Sequence, residues 1–205
     1  MLFDAKAAEW DANPARVALA RAVVESIRAA VPLRPDVRVL DFGAGTGLVS
    51  LGLLPFVGEV TAMDASAGML DMLHKKVDAL GAKNFHLLRG DVTHAFLPSG
   101  HFDLIVSSMT LHHLPDVPRV LRRLRPALRD NGWIALADLD AEDGSFHADK
   151  TGVFHNGFDR ATLCCWMNVA GFADAVFHDA YRITRLGSDG TPHTYPVFLV
   201  TARKG

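Results

Sequence analysis

Cysteine is scarce: Cys164 and Cys165 are the only two in 205 residues, and they are neighbours. Sulfurs on consecutive residues cannot staple distant parts of a chain, so a disulfide scaffold is excluded and a reducing, cytoplasmic setting is expected. Long apolar runs are lacking too. The most apolar stretch, Leu48 to Val60, is interrupted by Pro55 and Gly58, and nothing reads as a membrane span. Charge of one sign is also missing. The 21 basic and 23 acidic side chains leave a formal net charge of −2, which gives no general attraction to nucleic acid or anionic lipid. Met1 to Trp10 carries Asp4, Lys6 and Glu9 and does not read as a secretory signal. No internal repeat or low-complexity tract is present. Hydrophobic residues at 49% suffice to fill the core of one packed domain.

Runs rich in Val, Ile and Leu alternate with segments of helical spacing, a pattern that specifies a parallel sheet covered on both faces. Pro14–Val31 sets Leu19, Ala20, Val23, Val24 and Ile27 at helical intervals, and Pro32 and Pro35 stop it. Strands are expected at Val37–Phe42, Val57–Met63, Asn84–Arg89, Phe102–Ser107 and Trp133–Asp138. Helices are expected at Leu48–Leu54, at Ala67–Leu80 closed by Gly81, and at Val117–Leu128 terminated by Asn131-Gly132. Asp140–Gly157 is polar and reads as a long loop of functional length. Asp159–Val169 is a helix ending at Gly171, with Cys164, Cys165 and Trp166 as packing residues. Ala175–Thr184 and Val197–Ala202 are two closing strands around a turn-rich Gly187–Pro196. Residues 1–35 are expected to form an N-terminal helical lid and residues 36–205 the main domain.

The strongest signal is Val39-Leu40-Asp41-Phe42-Gly43-Ala44-Gly45-Thr46-Gly47-Leu48, set between a buried strand and a helix. Glycines there let a ligand touch the main chain, and the following helix offers free N–H groups. The dinucleotide fingerprint needs a third glycine where this chain has Leu48, so that reading fails at one position. About twenty residues beyond the loop, a second strand ends in Asp64, where a carboxylate can accept both ribose hydroxyls. A third strand ends in Leu88-Arg89-Gly90-Asp91-Val92.

The Asp41-x-Gly43-x-Gly45-x-Gly47 form resembles motif I of the class I S-adenosylmethionine-dependent methyltransferases. Phe102-Asp103-Leu104-Ile105-Val106-Ser107-Ser108 resembles motif IV of that family. Leu124 to Leu128, Asn131 to Ile134 and Phe198 to Lys204 resemble its later helix and strands. The resemblance runs from Val37 onward and is nearest to the broad ubiquinone and menaquinone methyltransferase group, which shares the His-His-Leu after strand four. It implies an α/β, three-layer, Rossmann-like fold with a mostly parallel seven-stranded sheet and an antiparallel last strand. It implies S-adenosylmethionine as cofactor, leaving S-adenosylhomocysteine. The implied cofactor contacts are Asp41 toward the ammonium, and Gly43, Ala44, Gly45 and Gly47 along the methionyl part. Asp64 with Ala65 would meet the ribose, Asp91 and Val92 the adenine, and Ser107 the floor.

Methyl transfer asks a protein chiefly to align donor and acceptor, exclude water and, where needed, take a proton. His112 and His113 follow strand four and are candidate bases or orienting groups, and His147 and His155 in the long loop are further candidates. Their spacing matches no compact metal motif, and no metal is expected. Trp10 is placed to cover the site or to anchor the terminus. A nicotinamide-dependent oxidoreductase and a cofactor-binding regulatory protein without turnover are the competing readings. Nucleic acid methylation is disfavoured, because Ser107-Ser108-Met109-Thr110 stands where such enzymes carry an Asn/Asp-Pro-Pro-Tyr type motif. The expected partner is a small-molecule acceptor, without nucleic acid or membrane, and the chain a monomer or homodimer.

Overall fold

A computed structural model describes residues 3–186 and 191–205. Seven strands form one sheet in the order β3-β2-β1-β4-β5-β7-β6. They are β1 (Arg38–Phe42), β2 (Glu59–Asp64), β3 (Phe85–Arg89), β4 (Phe102–Ser108), β5 (Leu128–Leu139), β6 (Phe172–Leu186) and β7 (Pro192–Lys204). The first five pair in parallel, and β7 runs antiparallel to both β5 and β6. The helices are α1 (Pro14–Ala30), α2 (Leu48–Leu53), α3 (Ala67–Leu80), α4 (Val117–Leu124) and α5 (Arg160–Val169).

Successive side chains of a strand point to opposite faces, so a sheet buried on both sides feeds two cores. Val39, Leu104 and Val106 join α1, α2 and α3 on one face, while Leu40, Phe42 and Ile105 join α4 and α5 on the other. The result is the three-layer α/β fold with an antiparallel last strand. Within it α1 buries Leu19, Val23, Val24 and Ile27 in the same cluster as Val39 and Leu53. Helix starts carry their caps. Ser66 Oγ accepts from Met69 N at 3.2 Å, Asp116 Oδ1 from Arg119 N at 2.9 Å, and Asp159 Oδ1 from Thr162 N at 2.8 Å.

Two segments differ from the sequence-based expectation. The helix from Val117 stops at Leu124 rather than Leu128. Pro126 has no N–H to continue the ladder, the chain tightens into a 3-10 turn over Arg125–Ala127, and β5 begins at once. Asn131-Gly132 therefore lies inside β5. Asn131 takes a φ of 61° where the β4–β5 register shifts between Phe102 and Leu104, so the pair marks a bulge and not a helix stop. The turn expected over Gly187–Pro196 falls partly outside the described residues. From Pro192 onward the chain is strand, with Pro196 paired to Arg182. Among the described residues no helix is long and apolar enough to cross a membrane.

Candidate active site

Strands β1 to β4 all end on one side of the sheet, where a cavity of about 660 Å³ opens. Its floor is the turn between β1 and α2. Gly45 has a φ of +56°, and a Cβ there would meet nothing closer than Met69 Sδ at 4.0 Å, so the backbone lies open to the cavity. Gly47, at φ +80°, serves packing instead. A Cβ there would stand 2.2 Å from Leu73 Cδ1, so the glycine lets α2 start tight against α3. The turn is locked to β2 by Asp64. Its Oδ2 accepts from Gly45 N at 2.7 Å and its Oδ1 from Ser66 N at 2.8 Å. Each oxygen keeps a second lone pair for a ligand.

Asp41 is buried at the end of β1, and the Ser50 hydroxyl donates to its Oδ2. Burial pushes this carboxyl up to about 7; the Ser50 hydrogen bond opposes the rise and the charge of Asp64 adds to it. No cation pairs with it among the described residues. Asp91 stands exposed at the end of β3, where its Oδ1 accepts from Thr93 N at 2.8 Å and Thr93 Oγ1 at 2.7 Å.

The N-terminal 3-10 helix Asp4–Ala12 lies across this turn. Asp4 Oδ1 accepts from Ser66 Oγ at 2.6 Å and from Gly68 N at 3.0 Å. Asp11 accepts from Thr46 Oγ1 at 2.5 Å and from Lys76 Nζ at 2.6 Å. Phe3 meets Trp10 edge-on at 5.9 Å and His113 at 5.2 Å, and so joins the N-terminal segment to the histidines.

Those histidines form a cluster. His112 is buried, and its Nδ1 donates to Asp138 Oδ1 at 2.6 Å, so Nε2 is the ring nitrogen left for a ligand. His113 Nδ1 donates to the Gly152 carbonyl at 2.7 Å, and burial lowers its pKa, helped by neighbouring His112. The His147 ring lies 4.9 Å from that of His112 and 5.8 Å from that of His113. Its Nε2 is buried without a hydrogen-bond partner, and burial, with His112 and His113 beside it, pushes its pKa down to about 4. The loop that carries it is folded, not loose. Phe154 N donates to the His112 carbonyl at 2.9 Å, and Glu142 N to the Asn156 carbonyl at 2.9 Å. Among the described residues no group of three or more His, Cys, Asp or Glu side chains is placed to hold a metal ion.

The cavity thus gathers Asp41, Gly43, Ala44, Gly45, Asp64, Ala65, Asp91 and Val92 with His112, His113 and His147. Three expected residues do not line it. Gly47 faces Leu73, and Ser107 donates from Oγ to the Phe42 carbonyl at 2.7 Å beneath the floor, while its neighbour Ser108 lines the wall. His155 donates from Nε2 to the Leu114 carbonyl at 3.0 Å and packs against Phe158 and Trp166. Sequence reasoning missed Lys6, Arg16, Met69 and Arg185, which also line the cavity. The spacing of Met69 within α3 marked it as core, and nothing local distinguished the cations from solvated charges.

Residues 40–136 match the methyltransferase domain family. Over this stretch, a little under half of its length, the chain is similar to methyltransferases. It is 33% identical over 135 residues to an uncharacterized methyltransferase of Schizosaccharomyces pombe, covering 58% of this chain and 47% of that protein. It is 37% identical over 128 residues to the trans-aconitate 2-methyltransferase of Deinococcus radiodurans, covering 62% of this chain and 47% of that one. The chain thus spans about half the length of these curated relatives. A solved S-adenosylmethionine-dependent methyltransferase from Aquifex aeolicus shares the fold, with a TM-score of 0.74, 22% identity and 98% of each chain covered. The family's cofactor carries an ammonium, a sulfonium and a ribose. The cavity fits such a cofactor on two counts: the backbone lies open at Gly45, and the buried Asp41 carboxyl has no cation partner among the described residues.

Proposed function

We propose that this chain transfers the methyl group of S-adenosylmethionine to a small-molecule acceptor. The observation that carries the reading is the convergence of Asp41, Asp64 and the open turn at Gly45 on one cavity that continues to a histidine cluster. When bound, the cofactor supplies a methyl group on a positive sulfur, and its carbon–sulfur bond breaks as the acceptor bonds to that carbon.

The chain's own residues bind, orient and shelter. Asp41 receives the ammonium, Asp64 the ribose hydroxyls, and Asp91 with the Val92 N–H the adenine. The segment from Phe3 to Ala12 covers the cofactor and excludes water, with Trp10 and Phe3 as its apolar underside. His112, held through Nδ1 by Asp138, and His113, held through Nδ1 by the Gly152 carbonyl, each have Nε2 left to face a hydroxyl, amine or thiol acceptor and take its proton. A cavity of about 660 Å³ shared by cofactor and acceptor supports a small acceptor.

Calorimetry with S-adenosylhomocysteine tests the reading. Asp64→Ala removes the ribose acceptor and the lock on Gly45, and is expected to weaken binding by about 1.5–3 kcal/mol, the range for a lost hydrogen bond to a charged group. Equal affinity in the two proteins would remove Asp64 from the cofactor site and the reading with it.

A further inference from the structure

The two ends of the cavity differ in charge. The acids Asp41, Asp64 and Asp91 stand at the strand ends, whereas Lys6, Arg16 and Arg185 reach the cavity from the N-terminal segment, α1 and β6. Lys6 has a counter-charge, since its field is felt at Asp149, an exposed carboxylate of the long loop that also lines the cavity. Arg16 and Arg185 have none: neither forms an ion pair with a carboxylate among the described residues.

Both guanidiniums are nonetheless held in place. Arg16 lies over the Trp10 ring at 3.8 Å and donates to the Trp10 carbonyl at 3.4 Å. Arg185 lies over the Phe146 ring at 3.9 Å and donates to the Phe146 carbonyl at 2.8 Å. Stacking on a ring and one hydrogen bond to a carbonyl orient a guanidinium without neutralising it, and leave most of its five N–H donors unused. Burial lowers the pKa of both, and the charge of Arg16 lowers that of Arg185 further. Two partly desolvated like charges aimed into one chamber oppose each other until an anion sits between them. Phe146, Ile183 and Leu19 supply apolar walls at the same end.

We propose, resting on the methyltransferase reading above, that the acceptor is a small organic acid whose carboxylate is clamped between Arg16 and Arg185 while its apolar body lies against Phe146 and Ile183. A planar guanidinium fixed by a ring beneath it presents its N–H edge to a planar two-oxygen group, the geometry of carboxylate recognition.

The test uses the full chain saturated with S-adenosylhomocysteine, titrated with 3-phenylpropanoate, its uncharged amide and benzylphosphonate. The carboxylate is expected to bind about tenfold or more tighter than the amide, as for a charge-assisted hydrogen-bonded pair. Arg16→Gln and Arg185→Gln should each remove about tenfold of the carboxylate affinity and leave the amide unchanged, with Arg185→Lys intermediate. S-adenosylhomocysteine binding by each variant shows that it has folded. Equal affinity for acid and amide, no binding of the acid, or tighter binding of the phosphonate overturns the carboxylate clamp. If the unmutated chain binds no S-adenosylhomocysteine, the methyltransferase reading itself falls, whichever acid binds.

Discussion

Asp41 combines burial, a raised pKa and a single hydroxyl partner. A carboxyl whose folded pKa lies near 7, against 3.8 when unfolded, holds its proton longer in the native state, so its contribution to stability falls as pH rises from about 4 to about 7. Asp41→Asn removes that loss. Its melting temperature relative to the unmutated chain should therefore be more favourable at pH 8 than at pH 5. Binding of an ammonium favours the ionised form, so the unmutated chain should release about half a proton at pH 7 when S-adenosylhomocysteine binds. The Asn variant should release none and bind more weakly, which calorimetry in buffers of different ionisation heat would reveal. The aspartates were legible in the sequence because each ends a buried strand beside a glycine or a helix start. Arg16 and Arg185 were not, because their meaning comes from facing each other across about 170 residues of intervening chain, a relation only the folded sheet creates.

Among the elements, the bounds of α3 were readable to the residue, with Ser66 capping the start and Gly81 at φ +61° closing the end. Of the apolar face expected from its spacing, Met69, Leu70, Leu73 and Val77 are buried, while Leu80, in the last turn, is exposed. Helix α4 was not so readable, because Leu124 to Leu128 continues a helical apolar rhythm while Pro126 and the pairing of Leu128 with Phe102 convert it to strand. Tertiary pairing overrode local pattern there. The 3-10 helix Asp4–Ala12 is held over the site chiefly by the side chains of Asp4 and Asp11. Asp11→Ala breaks its bonds to Thr46 and Lys76, contacts of modest energy at a partly exposed site. It should speed S-adenosylhomocysteine dissociation about three- to tenfold, measured by stopped flow, with little change in the melting temperature of the free protein.

At the scale of the whole molecule, the sheet order places the ends of β1, β2, β3 and β4 side by side and brings β6, through β7, to the far side of the same cavity. A ligand that binds only the folded state stabilises it by about 2.7 kcal/mol at 100 times its Kd. For a domain of this size that corresponds to a rise in melting temperature of about 5–11 °C. S-adenosylhomocysteine and S-adenosylmethionine should both produce it in a thermal scan, and NAD should not, because Leu48 stands where a dinucleotide loop needs glycine. A rise with NAD alone would restore the oxidoreductase reading. The alternation of strands and helices made this architecture readable early; the length of β6 and β7 was not readable, since their polar outer halves carry no core pattern.

The amides of Phe154 and His155 both point to the carbonyl of His112, at 2.9 Å and 3.3 Å. The long loop is therefore sewn by main chain to the residue that Asp138 steadies from behind. It cannot swing outward without dragging that imidazole along, whereas the opposite rim is fastened mostly by side chains. On the proposed function, reactant and spent cofactor should pass on the N-terminal rim, leaving the histidine wall still. Deuterium should accordingly enter the amide of Lys6 well before that of Phe154; the reverse order would mean that the doorway lies on the other side.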